Sequence, residues 1–177
     1  MKAMAMVAHP DDCVIFAYSF MHHYSQFEWT VCYLTYTEQD ARGREFAEFW
    51  KQRGVATKFL GYADDYRDIE VKEISFDTNA AAEDIQQAIL DQDVILTHNH
   101  CGDYGHLHHV FVNQTVCRNH NQVVCFAGLG QGNVKYALDP GVYCLDELPL
   151  HRGIISTFHI HTHTNEYTVT ERTRKIL

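Results

Sequence analysis

Two clusters in this chain carry side chains able to do chemistry. The first is His9, Asp11 and Asp12 within Ala8-His9-Pro10-Asp11-Asp12. One imidazole and two carboxylates inside four residues can offer two ligands to a divalent ion and leave one carboxylate for proton transfer. A catalytic site of this kind takes three protein ligands and keeps one position open, so a further ligand must come from elsewhere. The same residues also suit a helix start, with Asp11 or Asp12 capping a helix from Val14 and His9 a polar strand end. The second cluster runs Thr97-His98-Asn99-His100-Cys101-Gly102-Asp103-Tyr104-Gly105-His106-Leu107-His108-His109. His106 and His109 are three apart and share a face if a helix begins near Leu107. Alone, this cluster reads as solvated or capping histidines. Brought together with the first, it makes a metal site the better reading. Asp103 could orient a ligand histidine or take part in the turn.

The elements around the clusters decide whether they meet. Apolar runs at Met4–Ala8, Val31–Thr35, Thr57–Leu60, Val94–Thr97 and Val123–Ala127 are strand candidates. Pro10 has no N–H for a ladder, so the first strand must leave the sheet sharply there. Helix candidates lie between the strands: Val14–Tyr24, Arg42–Arg53, Thr78–Leu90 and Leu107–Arg118. Phe46, Phe49 and Trp50 give the second of these an apolar face, and Gly54 suits its C-terminal stop. Thr78 or Asn79 is the expected N-cap of the third. Strand–helix alternation means βαβ units and a parallel sheet covered on both faces. Both clusters follow strands and therefore share one edge, where open α/β sheets place ligands. The expected fold is α/β, a Rossmann-like, mostly parallel sheet flanked by helices, with a β-rich C-terminal appendage. Length fits one domain over 1–177, with a core of 1–127 and an appendage of 128–177. In the appendage, Gly153–Thr164 and Glu166–Thr170 alternate like a hairpin turning near Asn165.

Composition narrows the function class. A formal net charge of −9 argues against a nucleic-acid partner, which needs a basic footprint. No apolar run is long enough to span a bilayer, and the N-terminus does not read as a signal peptide. The six cysteines form no C-x-x-C pair, and a reducing cytoplasm is the simplest setting. The thirteen histidines favour a metal. Phe, Tyr and Trp are numerous enough to supply the interface of a homo-oligomer. Gly128–Gly132 lacks the G-x-G-x-x-G spacing of a dinucleotide loop and reads as a loop near the site's rim. His159, His161 and His163 alternate on one strand face, either simply polar or a second metal site.

The two motifs, in this order and on these strands, resemble those of the PIG-L/LmbE-type zinc-dependent N-deacetylases. That family includes N-acetylglucosaminyl-phosphatidylinositol deacetylases and those of the mycothiol and bacillithiol pathways. Its A-H-P-D-D-E is matched by Ala8 to Asp12, with Cys13 in place of Glu. Its T-H-x-x-x-G-E-Y-G-H-x-D-H resembles Thr97 to His109, with His108 where Asp is usual. Thr37-Glu38, Arg44-Glu45, Gly54-Val55 and Phe59-Leu60-Gly61-Tyr62 with Asp64 or Asp65 follow the family's plan between them. The resemblance covers roughly residues 3–127.

The resemblance implies a set of roles. His9, Asp12 and His109 would hold Zn2+, or another divalent ion such as Fe2+. Asp11 would be the general base. His106 would stabilise charge developing at the amide or protonate the leaving amine. Tyr104 would reach toward the acyl oxygen. Arg42 and Arg44 would be surface ion-pairing residues or contacts to a substrate hydroxyl or phosphate. The implied activity is removal of an N-acetyl group from an N-acetylglucosamine-type amino sugar or its conjugate, a small-molecule substrate. A non-catalytic carbohydrate- or metal-binding module, or an amidase acting on a thiol conjugate, are the rivals. His108 is expected to weaken metal affinity or shift the pH optimum, because it lacks the fixed charge of the usual Asp.

Overall fold

The computed structural model describes residues 1–64, 73–126, 135–137, 166–169 and 173. The chain opens with β1 (Lys2–Val7), then a π-helical turn (Cys13–Ala17) that runs on into α1 (Tyr18–His23). β2 (Glu28–Thr35), α2 (Ala41–Lys51), β3 (Ala56–Tyr62), α3 (Thr78–Ile89) and β4 (Val94–Thr97) follow. A short α4 (Gly102–Gly105) leads into α5 (Leu107–Asn119) and β5 (Val123–Phe126), and β6 (Lys135–Ala137) and β7 (Glu166–Val169) complete the set. The strands form one sheet in the order β3-β2-β1-β4-β5-β7-β6. β1 to β5 are mutually parallel. β7 runs antiparallel to β5, and β6 antiparallel to β7. The α/β class and the parallel core are as the sequence leads one to expect.

The side-chain period of a strand explains the layering. Along β1, Ala3, Ala5 and Val7 enter one core with Phe20, Phe46, Phe49 and Trp50 from the first two helices. Met4 and Met6 enter the other with Ile85, Ile89, Val112 and Val116 from α3 and α5. Each fully buried aromatic such as Phe46 or Phe49 contributes about 1.5–3 kcal/mol. Both faces of the central strand are therefore dry, as parallel sheets require.

Three local features differ from expectation or sharpen it. The N-cap of α3 is Asp77, not Thr78 or Asn79: its carboxylate accepts from Asn79 N (2.9 Å) and Ala80 N (3.2 Å). Glu166–Val169 pairs with β5 and β6, so the described part of the expected appendage extends the main sheet. The hairpin partner 153–164, the glycines at 128–132 and His159, His161 and His163 lie outside the described residues. Gly43, in the first turn of α2, is set so close to the chain that a Cβ would lie 1.9 Å from Thr37 O. Only glycine lets α2 start there.

The chain turns outward from β1 to β2 and β3, then returns to β4 on the other side of β1. The strand order reverses between β1 and β4, the place where such sheets open a crevice at their carboxyl ends. Met6 pairs with Thr97 and Val7 with Tyr33, so the residues after β1, β2 and β4 emerge side by side. Among the described residues, no helix is long and apolar enough to cross a membrane.

Candidate metal centre

The turn after β1 is pinned from both flanks. Ala8 O accepts from Thr35 N (3.0 Å) and Thr35 Oγ1 (2.8 Å), and Ala8 N donates to His98 Nε2 (2.9 Å). His9 N donates to Asp12 Oδ2 (2.7 Å), which fixes that carboxylate inward. Cys13 anchors the π-helical turn from below: its thiol reaches Pro10 O and Tyr33 Oη, both at 2.9 Å, and Trp50 Nε1 donates to it at 3.1 Å. Burial pushes this thiol up, so it stays protonated. The Cys13 departure is thus spent on holding the turn to the core.

The second cluster is positioned by strained backbone. Asp103 has φ 62°, a left-handed conformation that a residue other than glycine rarely adopts. It directs the carboxylate to two histidines at once, His98 Nδ1 at 2.5 Å and His109 Nδ1 at 2.9 Å, while Oδ1 accepts from Asn99 N at 3.2 Å. Both readings of Asp103 hold, since it orients a histidine and closes the turn. Gly102 (φ 68°) lets the chain pass α5 closely; a Cβ there would sit 2.8 Å from Val110 Cγ2. His106 caps α5, its Nδ1 accepting from His108 N at 3.2 Å. That leaves the ring proton of neutral His106 on Nε2.

Three atoms from the two clusters converge. His9 Nδ1 is 3.2 Å from Asp12 Oδ2 and 3.2 Å from His109 Nε2, and the last two are 3.3 Å apart. A small divalent ion with N and O ligands at about 2.0–2.2 Å in tetrahedral geometry separates its ligand atoms by roughly 3.3–3.6 Å. The triangle fits. The chemistry of the donors fits as well. Asp103 takes the Nδ1 proton of His109, leaving Nε2 to face the triangle. His9 Nε2 pairs with His108 Nδ1 at 3.1 Å and lies 3.5 Å from Asp64 Oδ1, leaving Nδ1 inward. His98 Nε2, 3.5 Å from Asp12 Oδ2, is not equivalent, because its lone pair already takes the Ala8 N–H. His106 also has a ring nitrogen close to those of His9 and His109.

Electrostatics support a cation here. Burial alone would lower His109, but the carboxylates of Asp12 and Asp103 win and carry it up to about 10. Burial would raise Asp12, yet His109 and His9 hold it well below the carboxylate range. The same carboxylates that favour a proton on His109 favour a metal ion beside it. Burial pushes His98 down, so it is neutral, as its donor–acceptor pattern demands. Burial and the neighbouring histidines take His106 down to about 3 and His108 to about 4.

Asp11 stays outside the triangle. Arg42, from the first turn of α2, donates to Asp11 Oδ1 at 2.5 Å and to Tyr36 Oη at 2.9 Å. Tyr36 Oη donates to Asp64 Oδ2 at 2.7 Å. A cleft of about 420 Å³, lined by Tyr36, Thr37, Asp40, Gly61, Tyr62 and Asp64, adjoins this network. A second cavity of about 480 Å³, walled by Tyr18, Trp29 and Trp50, lies at the opposite end of the sheet from His9 and His109.

The structure therefore brings His9, Asp11, Asp12, His106, His109 and Arg42 together. Tyr104 stands at the rim, 56% exposed, with its ring 5.2 Å from that of His109. Arg44 is not brought in: it is exposed on the outer side of α2 and donates to Gln39 O at 2.6 Å. Sequence reasoning missed Tyr36 as part of the network. Its position just past the end of β2, on the same edge as Ala8, was the available signal.

No curated protein matches the chain in sequence. Among solved structures, a deacetylase in complex with teicoplanin, from the teicoplanin pathway, is 12% identical with TM-score 0.60, over 93% of this chain and 87% of that one. The A40926 pseudoaglycone deacetylase Dbv21 is 15% identical with TM-score 0.58, over 92% and 81%. The 4-carboxy-2-hydroxymuconate hydratase GalB of Pseudomonas putida KT2440 is 18% identical with TM-score 0.51, over 67% of this chain. The chain spans 55% of the hydratase's length. At these identities the likeness concerns the fold. The family model described as PIG-L, GlcNAc-PI de-N-acetylase, matches residues 4–119, the stretch that holds both clusters, and the chain belongs to that family.

Proposed function

We propose that this chain hydrolyses the N-acetyl group of an N-acetylglucosamine-type amino sugar or its conjugate, with a zinc ion held by His9 Nδ1, Asp12 Oδ2 and His109 Nε2. The observation that carries the reading is the triangle of donors at 3.2–3.3 Å with a further carboxylate, Asp11, left out of it. A module that only binds has no need of that spare carboxylate. When bound, zinc supplies Lewis acidity and acidifies water.

The chain's own residues do the rest. Asp11 takes a proton from the attacking water on Oδ2, while Arg42 holds Oδ1 and with it the plane of the carboxylate. His106 presents Nε2–H to the acyl oxygen as negative charge grows there, and the Tyr104 hydroxyl adds a second donor from the rim. One such donor is commonly worth about 100–1000-fold in rate. The proton on Asp11 then passes to the leaving amine. Asp64 and Tyr36 line the cleft, with Arg42 bonded to Tyr36 behind them, and meet the sugar hydroxyls.

The test is acetate release from a panel of N-acetylated amino sugars and their conjugates, by zinc-loaded protein with and without chelator. Acetate that disappears with chelator and returns with zinc is expected. Loaded, folded protein that releases acetate from none of them would overturn the reading.

A further inference from the structure

On the sheet face covered by α3 and α5, two thiols meet away from the histidine triangle. Cys117 lies near the end of α5 and is exposed; Cys125 lies on β5 and is partly buried. The short connection between the two elements folds the last turn of the helix back beside the strand. Asn113, one turn before Cys117, places Nδ2 3.5 Å from both sulfurs. Through this shared neighbour the two thiols also interact with each other. Cys13, by contrast, is tied to Tyr33 and Trp50, and Cys32 is buried.

We propose that Cys117 and Cys125 are a redox pair, a modification site at which a hydroperoxide closes a reversible disulfide between α5 and β5. The environment divides the labour. Hydrogen bonds from Cys125 and Asn113 outweigh burial and bring the Cys117 thiol down to about 7, so it is substantially thiolate at neutral pH. The hydrogen bond to Cys117, together with burial, holds Cys125 up and keeps it a thiol until it is needed.

With hydrogen peroxide as the oxidant, the Cys117 thiolate attacks one oxygen. The O–O bond breaks, the departing hydroxide leaves as water after taking a proton, and Cys117 becomes a sulfenic acid. Cys125 then gives up its proton and attacks that sulfur. The S–S bond forms, the S–O bond breaks, and a second water leaves. Two thiols and one peroxide give one disulfide and two waters; the sulfurs lose two electrons and the peroxide gains them. A dithiol reductant reverses the step by thiol–disulfide exchange. Asn113 also donates Nδ2 to His98 O at 2.7 Å, so it joins the pair to a histidine that supports the triangle.

The experiment exposes the full native chain to hydrogen peroxide, then alkylates the remaining thiols and maps the peptides. The expected result is loss of two hydrogens in mass, a Cys117–Cys125 cross-linked peptide, and full reversal by dithiothreitol. At pH 7 and before oxidation, Cys117 should alkylate about threefold faster than free cysteine, its thiolate fraction outweighing its lower nucleophilicity. Cys125→Ser should instead drive Cys117 on to the sulfinic and sulfonic acids, and the exposed Cys117→Ser should leave Cys125 reduced. A folded wild-type chain that forms no such cross-link, or pairs Cys117 with another cysteine, would overturn the proposal. So would a Cys125→Ser variant that still loses two hydrogens.

Discussion

On the β4–α5 side of the site, His98, Asp103 and His109 come from one stretch of twelve residues, have buried side chains, and join through the Asp103 carboxylate, which both histidines bond. On the β2–β3 side, Tyr36, Arg42 and Asp64 come from separate segments and stay partly exposed around Asp11. Each side holds one residue in the left-handed region, Asp103 at φ 62° and Tyr36 at φ 64°. The first side is closed around its carboxylate, whereas the second opens on a cleft. A ligand set must keep its lone pairs aimed whether or not an ion is bound, so it benefits from being over-determined. A base has to exchange protons with water and substrate, so it benefits from a counter-ion that can share it.

That contrast can be broken at measurable points. The largest effect belongs to His109→Ala, which removes a corner of the triangle. Zinc retained after dialysis, read by elemental analysis, should fall from near one equivalent to almost none, and acetate release should fall with it. Asp11→Asn should separate the two sides most clearly. Its kcat should drop by about 10²–10⁴, the usual worth of a general base, while zinc content stays at the wild-type level. If zinc were lost as well, Asp11 would belong to the ligand side. Asp103→Asn should weaken zinc binding by about 10–100-fold, as loss of a carboxylate behind a ligand histidine does, measured by competition with a chromophoric chelator. Arg42→Gln should lower kcat/KM by about 10–100-fold, the equivalent of one charge-assisted hydrogen bond, and leave that competition curve unmoved. The smallest effect is expected at His108→Asp. A carboxylate receiving His9 Nε2–H should tighten zinc by up to about tenfold; looser binding in the same assay would mean that the native His108 is the better partner.

Sequence periodicity made the sheet, its helices and the meeting of the two motifs legible. Pro10 marked the sharp exit, and the three-residue spacing of His106 and His109 placed both beside the start of α5. What stayed hidden were contacts made by topology and not by local pattern. Arg42 reaches Asp11 across 31 positions because β2 lies beside β1. Asp64 reaches His9 only because β3 continues the sheet outward. Arg42 and Arg44 could not be told apart by composition; the turn of α2 aims one inward and the other at Gln39 O. His98 lies in the second cluster, but both its ring nitrogens are committed, to Ala8 N and Asp103. Cys117 and Cys125 form no C-x-x-C pair, and nothing in their spacing announces that a helix end folds back on a strand.

The distance along the chain between the triangle's corners has a consequence for how the protein assembles. His9 and His109 are 100 positions apart and meet only after β4 has paired with β1. Pairings this remote close late, because the loop entropy must be overcome before the contact repays it. The site is therefore among the last parts of the molecule to mature, and an unfolded or half-folded chain presents two disconnected fragments of it. Any ion that prefers the complete triangle pulls the folding equilibrium toward the native sheet by mass action. In this architecture, an ion that fills the centre also stabilises the finished sheet.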